Sequence, residues 1–347
     1  MTSINALRFN DYSGIMLCDE QRSWNPEDMK IYVSDKIKPC IPREIIEEVG
    51  LVAAYGNTGT STIGDEIKFT ILKKLREEYV LLKEKNDGKI PENFKTMEDL
   101  SDLVYDIIMN MKHTHISQQM EALYGFSKND YIGGSYEKNG KKIEIKDKET
   151  LDDCQKFITW KGNIPDVKSV FMNAGVLAGY DDREGFRIFQ FSIWRMYKEA
   201  VDIAFAAGGS GADILQLYMS EFLSGKSLHE KRGNIDPLEG TMEFINALNI
   251  ACERNYGVGG YYNIILFNGK APKNKRMIEI NDHRAKLASE IVKAREYEFI
   301  SFDTAGELIK KLLFEGHSFE EVNELLFKNC SKEKDLLYTL RGYKHAG

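Results

Sequence analysis

Leu177-Ala178-Gly179-Tyr180-Asp181-Asp182-Arg183-Glu184-Gly185-Phe186-Arg187-Ile188-Phe189 sets one apolar run against another across a charged turn. The first run belongs to a longer stretch, residues 169–180, and the second continues to Phe191. Short apolar runs bounded by turn-forming residues predict strands, and two of them across one turn predict a hairpin. Further on, Ile203-Ala204-Phe205-Ala206-Ala207 runs into Gly208-Gly209-Ser210-Gly211. Ala212, Ile214, Leu215, Leu217, Tyr218 and Phe222 then recur at helical spacing, so a strand, a tight turn and a helix follow the hairpin.

The same grammar extends in both directions. At the start, residues 3–9 and 14–18 read as strands around Asn10-Asp11-Tyr12-Ser13, a second hairpin. Leu51-Val52-Ala53-Ala54-Tyr55-Gly56 is a strand that ends in a Gly/Thr/Ser-rich turn, with Ile67, Ile71, Leu72, Leu75 and Tyr79 at helical spacing behind it. A helix over about residues 241–253 precedes Gly259-Gly260 and the strand at 262–267. Strands in hairpins with helices grouped between them predict a layered α+β fold rather than alternating βαβ units. Charged, turn-punctuated sequence between about 83 and 165, around a helical stretch near 97–111, reads as an insertion between core segments 2–82 and 166–282. Residues 283–347 read as a helical C-terminal extension.

Composition narrows the function classes. At 347 residues, 42% hydrophobic and 29% charged, the chain has the makings of an ordinary globular protein. A net charge of -7 gives no electrostatic reason to expect nucleic acid or an anionic membrane as a partner. Five scattered cysteines without a CxxC pair argue against a disulfide framework or zinc knuckle, and fit a reducing compartment. No apolar run approaches the roughly 20 residues needed to span a bilayer, and no signal-peptide pattern opens the chain, so the cytoplasm is the expected address.

Chemistry is suggested first by Thr2. Removal of Met1 would put a hydroxyl and a free α-amine on one residue, and an α-amine titrates near pH 7.7–8.0, at roughly the pH where it can act as a base. Other motifs carry less. Gly208-Gly209-Ser210-Gly211 could cradle a phosphate, but it lacks the P-loop lysine and the third glycine of the dinucleotide fingerprint. His113 and His115 would pair on a metal only if they lay on a strand, and no third ligand is evident. Cys18 reads as a small buried hydrophobe.

Taken together, these segments resemble the proteasome-type N-terminal-nucleophile hydrolases, the group of proteasome β-subunits and their bacterial relatives. The hairpin 177–189 followed by Ala206-Ala207-Gly208-Gly209-Ser210-Gly211 carries most of the likeness, with Thr2-Ser3-Ile4-Asn5-Ala6-Leu7, Cys18-Asp19 and Ser34-Asp35-Lys36-Ile37 adding to it. About two thirds of the chain is covered. The resemblance implies a four-layer αββα sandwich and a threonine-type peptidase acting in the cytoplasm on peptide or protein substrates. It implies attack by Thr2, an ion pair of Asp19 and Lys36 beside it, with Lys38 as an alternative cation, and a proton-relaying Ser210. Gly209 and Gly211 would let backbone approach the nucleophile. The oxyanion would meet a backbone N–H at Ala54 or Gly56. Asn255 and Val258 stand where the family commonly has an aspartate and a serine; Asn255 can orient a neighbour but supplies no charge. The reaction calls for no metal or organic cofactor. Exposure of Thr2 would rest on ordinary Met1 removal. The family's habit implies homo-oligomeric rings or stacks, and an unfoldase or other protein as a possible partner. Two alternatives stay open at this point: a catalytically inactive scaffold, and a transpeptidase or small-amide hydrolase with the same nucleophile.

Overall fold

In the computed structural model, residues 2–24, 29–32, 36–59, 61–91, 94–159, 173–192, 197–330 and 332–341 are described. The first strands are β1 (Ser3–Asn10), β2 (Ser13–Asp19), β3 (Gln21–Trp24), β4 (Met29–Tyr32), β5 (Ile37–Pro39) and β6 (Val52–Thr58). After them come β7 (Ser135–Lys138), β8 (Lys141–Glu144), β9 (Ala174–Asp181), β10 (Gly185–Ser192), β11 (Tyr197–Ala200), β12 (Phe205–Gly209), β13 (Tyr262–Asn268) and β14 (Met277–Ile280). The larger helices are α1 (Arg43–Val49), α2 (Ser61–Lys85), α3 (Met97–Tyr124), α4 (Lys128–Gly133), α5 (Lys148–Thr159) and α6 (Ala212–Ser224). A short α7 (Leu228–Lys231) leads to α8 (Pro237–Arg254), α9 (Asp282–Glu296), α10 (Phe302–Ile309), α11 (Phe319–Lys328) and α12 (Glu333–Arg341).

The fold is α+β. One five-stranded sheet has the order β12-β1-β2-β13-β14 and another β11-β10-β9-β6-β5, every pairing antiparallel. Both opening hairpins form where their turns predict, with Ile4 opposite Cys18 and Phe186 opposite Tyr180. The predicted strand at 169–180 starts, in the described part, at Ala174; residues 169–172 lie outside the described residues.

Period-two patterning distributes the side chains. Ile4 and Ala6 of β1, Met16 and Cys18 of β2 and Ile265 and Phe267 of β13 join Val52 and Ala54 of β6 and Val176 and Ala178 of β9 in one cluster shared by both sheets. The alternate residues turn the other way. Leu7, Phe9, Ile15, Leu17 and Ile264 pack with α6, α8 and α9, whereas Ala53, Tyr55, Leu177, Phe189 and Phe191 pack with α2 and α3. Strands buried on both faces lose the polar alternation of a one-sided sheet, which is why they read as apolar runs. Close approach of the sheets requires Gly14: a Cβ there would lie 2.3 Å from the Phe186 ring.

Helix α3 starts because Thr96 and Asp99 form a capping box, and it runs to Tyr124, well past the predicted stretch 97–111. Met97, Leu100, Val104, Ile107 and Ile108 repeat every three or four residues and share the cluster of α2, β6, β9 and β10. The segment read as an insertion therefore contributes a core helix. Likewise α9, within the segment read as an extension, buries Ala285, Leu287, Ala288, Ile291 and Val292 in the cluster of the first sheet.

The charged turn 181–184 is the tie between these parts. Asp181 Oδ1 accepts the N–H groups of Arg183 and Glu184 at 2.8 Å, and its Oδ2 accepts Met97 N–H at 2.7 Å. Glu184 accepts Glu98 N–H at 3.0 Å, so two carboxylates satisfy orphan amides at the α3 N-terminus, where the helix dipole favours them. Asp182 takes a bidentate contact from Arg276 at 2.8 and 3.0 Å, anchoring β14. Among the described residues no helix is long and apolar enough to cross a membrane.

Candidate active site

The register of β1 brings the candidate residues to one end of the first sheet. Ser3 pairs with Gly209 of β12, and Ile4 with Cys18 of β2, so Thr2 reaches Ser210 on one side and Ser3 reaches Asp19 on the other. Thr2 N–H donates to Ser210 Oγ at 3.1 Å, and Ser210 Oγ lies 3.4 Å from the Thr2 carbonyl oxygen. Thr2 is 9% exposed. Gly209 has φ of +94°, and a Cβ on it would stand 2.0 Å from the Thr2 carbonyl oxygen. Only glycine fits both the conformation and the approach. The Gly-rich turn is thus filled by β1.

Asp19 is fully buried, and each of its contacts is a donor. Its Oδ1 accepts Lys36 Nζ at 2.7 Å and Ser3 N–H at 2.8 Å; its Oδ2 accepts Gly259 N–H at 3.1 Å. Burial pushes the Asp19 carboxyl above its ordinary value, against the opposing pull of the Lys36 charge and of these hydrogen bonds. Lys36 also donates to the Gln21 carbonyl at 2.6 Å, so the cation is held at two points. Lys38, the alternative, is elsewhere: its Nζ contacts Asp65 at 2.9 Å. Ser34 and Asp35 lie outside the described residues.

Asn255 positions rather than charges. Its Nδ2 donates to the Ser210 carbonyl at 2.6 Å and its Oδ1 accepts Gly257 N–H at 2.9 Å. Val258, buried in the helix-side cluster, packs where a Cβ on Gly211 would stand 3.0 Å from its Cγ2. The loop 255–259 therefore fixes the Ser210 backbone from one end and Asp19 from the other. Gly259, Gln21 and Ser3 were not foreseen in these roles, because two of the contacts come from backbone amides and one from a carbonyl, which no side-chain identity announces.

The proposed oxyanion donors fall in a different place. Cys40 N–H donates to the Ala53 carbonyl at 3.0 Å, so Ala53 faces β5. In an antiparallel strand the polar groups of successive residues alternate sides, and Ala54 and Gly56 therefore face β9, in register with Ala178 and Val176. Their amides sit within the sheet ladder. The residue of β6 that comes closest to Gly209 is Thr58 at the strand's end, its Cγ2 3.2 Å from the Gly209 Cβ position.

The remaining candidates separate. His113 and His115 lie on α3, two residues apart, with His113 Nδ1 at 2.8 Å from Lys128 Nζ and His115 Nε2 at 3.6 Å from Glu66. Cys18 is fully buried and burial pushes its thiol up to about 12, so it supplies packing rather than a thiolate. No protein-family model matches this sequence, and no curated protein matches it either.

Proposed function

We propose that the chain is a threonine-type amide hydrolase of the N-terminal-nucleophile kind, with two antiparallel sheets stacked face to face between helical layers as an αββα sandwich. The layered order is supported by the cluster drawn from both sheets and by the two helix-side clusters on their opposite faces. The observation that carries the catalytic reading is the contact of Thr2 N with Ser210 Oγ at 3.1 Å, next to a buried Asp19–Lys36 pair tied to Ser3 N–H.

After loss of Met1 the Thr2 nitrogen becomes a free amine at the same place. The amine takes the proton of the Thr2 hydroxyl, and the oxygen attacks an amide carbonyl. Ser210, within hydrogen-bond reach of that nitrogen, relays the proton toward the leaving amine. Lys36, held in place by Asp19 at 2.7 Å, is positioned to lower the proton affinity of its surroundings. Water then releases the acyl group. Substrates are peptides or proteins, and the chains self-associate; the second point is supported by the outer face of α2, where Phe69, Val80 and Leu81 are 64, 47 and 54% exposed.

Hydrolysis of a panel of fluorogenic peptide amides by the Met1-free protein tests this. Activity that disappears in Thr2→Ala and persists at a reduced rate in Thr2→Ser is expected. Turnover unchanged in Thr2→Ala would sink the proposal by placing the activity on another group, and no turnover of any peptide would leave a scaffold as the better account of the fold. Diversion of product by an added amine would mark a transpeptidase.

A further inference from the structure

Six residues beyond Thr2, β1 brings Arg8 to a separate cavity, roughly 20 Å away along an extended chain. The cavity has a volume of about 290 Å³, at the lower end of the size of small-ligand sites. Its lining joins Arg8, Arg187 of β10, and His229 and Arg232 from α7 and the turn after it. Three arginines in one lining stand out on a chain whose net charge is -7.

The cations are unequally satisfied. Arg8 contacts Asp11 through one terminal nitrogen, while its Nε is buried without a hydrogen-bond partner. Arg187, half-buried, and Arg232, exposed at the rim, make no side-chain hydrogen bond or ion pair among the described residues. Against them the lining offers one further carboxylate, the exposed Asp202. A buried guanidinium N–H with no acceptor is costly, and an anion in the cavity would supply one.

Its walls are fixed by backbone. Arg8 N–H donates to the Ala204 carbonyl at 2.6 Å, Ala204 N–H to the Lys231 carbonyl at 2.9 Å, and Phe186 N–H to the Asp11 carbonyl at 2.7 Å. Gly233, at φ of +96°, lets the Arg8 stem lie against the chain: a Cβ there would stand 2.8 Å from Arg8 Cδ. The three arginines thus line one cavity from both sheets and from the turn after α7.

We infer that this cavity binds a small phosphate-bearing anion, held by the guanidinium groups of Arg8, Arg187 and Arg232. Planar guanidinium forks match phosphate oxygens in pairs, and three of them around one small space favour a tetrahedral, multiply charged group over a single carboxylate. The inference is independent of the chemistry at Thr2.

Isothermal titration of the full chain with inorganic phosphate, against chloride at equal ionic strength, tests it. Saturable binding is expected, weakened about tenfold or more in Arg187→Gln/Arg232→Gln, as loss of charge-assisted hydrogen bonds requires. Among the described residues the two arginines have no ion partner to lose, so the double variant should keep the wild-type circular dichroism and unfolding midpoint in chloride. Absence of saturable binding, or affinity in the folded double variant within tenfold of wild type, overturns the assignment. Glycerol phosphate titrated in parallel distinguishes the source: tighter binding assigns a phosphate ester, equal or weaker binding assigns inorganic phosphate.

Discussion

Lys36→Met isolates the electrostatics of the candidate site, because methionine keeps most of the lysine stem and removes only the cation. Asp19 is then left with Ser3 and Gly259 N–H groups but no countercharge, and its side chain remains inaccessible to water. Breaking a buried pair by removing one partner costs about 3–5 kcal/mol. Part of the loss is independent of pH: the Gln21 carbonyl forfeits its Lys36 donor, worth about 1 kcal/mol. The remainder depends on pH. Asp19 already has its carboxyl raised above the ordinary 3.8, and removing the cation raises it further. A group with a higher pKa in the folded state favours folding fully below its unfolded pKa and loses that contribution as pH rises through its folded value. The loss is therefore greater, and reaches closer to neutrality, in the variant. Urea unfolding should show a difference of about 1 kcal/mol near pH 4 that grows to about 3–5 kcal/mol at pH 7. Adding Asp19→Asn should flatten that dependence, because no buried charge remains. A difference that is the same at both pH values, or below about 1 kcal/mol at pH 7, would refute the buried-pair reasoning.

Further outcomes follow from other contacts. Gly209→Ala should cost about 2–4 kcal/mol in urea unfolding, since an L residue at φ of +94° is strained and its Cβ meets the Thr2 carbonyl at 2.0 Å. Ser210→Ala should keep the fold, by circular dichroism and unfolding midpoint, while slowing acylation of Thr2 roughly 100-fold or more. In native protein at pH 8, a chromogenic disulfide should titrate no more than about one thiol per chain rapidly, because burial pushes Cys18, Cys40 and Cys252 up to about 12 and Cys154 up to about 11. Phe69→Lys with Leu81→Lys should shift the protein to a smaller species on size-exclusion chromatography, with no loss of unfolding midpoint, if the outer face of α2 is a self-association surface.

The strands legible in the sequence were those whose two faces are both apolar. Tyr262-Asn263-Ile264-Ile265-Leu266-Phe267 and Leu177–Tyr180 show this plainly. The edge strands β5 and β14 were not legible. Ile37–Pro39 is three residues long with a lysine at its centre, and Met277–Ile280 carries an exposed glutamate, so neither builds an apolar run. The second half of α3 escaped notice because only Ile116 and Met120 are buried there, too sparse a stripe to separate from solvated sequence. At the candidate site, Thr2, Asp19, Lys36 and Ser210 were legible as side-chain types in order. Their backbone partners were not: which amides point at Asp19, and whether Ala54 and Gly56 face β9 or a substrate, depend on strand register, which lies in pairing across the sheet rather than in local sequence.

Intact-mass spectrometry of the purified protein with a threonine-directed β-lactone, alongside Thr2→Ala, tests the central claim most directly. The account predicts a chain lacking Met1 that gains one stoichiometric adduct, absent in Thr2→Ala. A chain that retains Met1 and gains no adduct, or one that labels equally in Thr2→Ala, would contradict it.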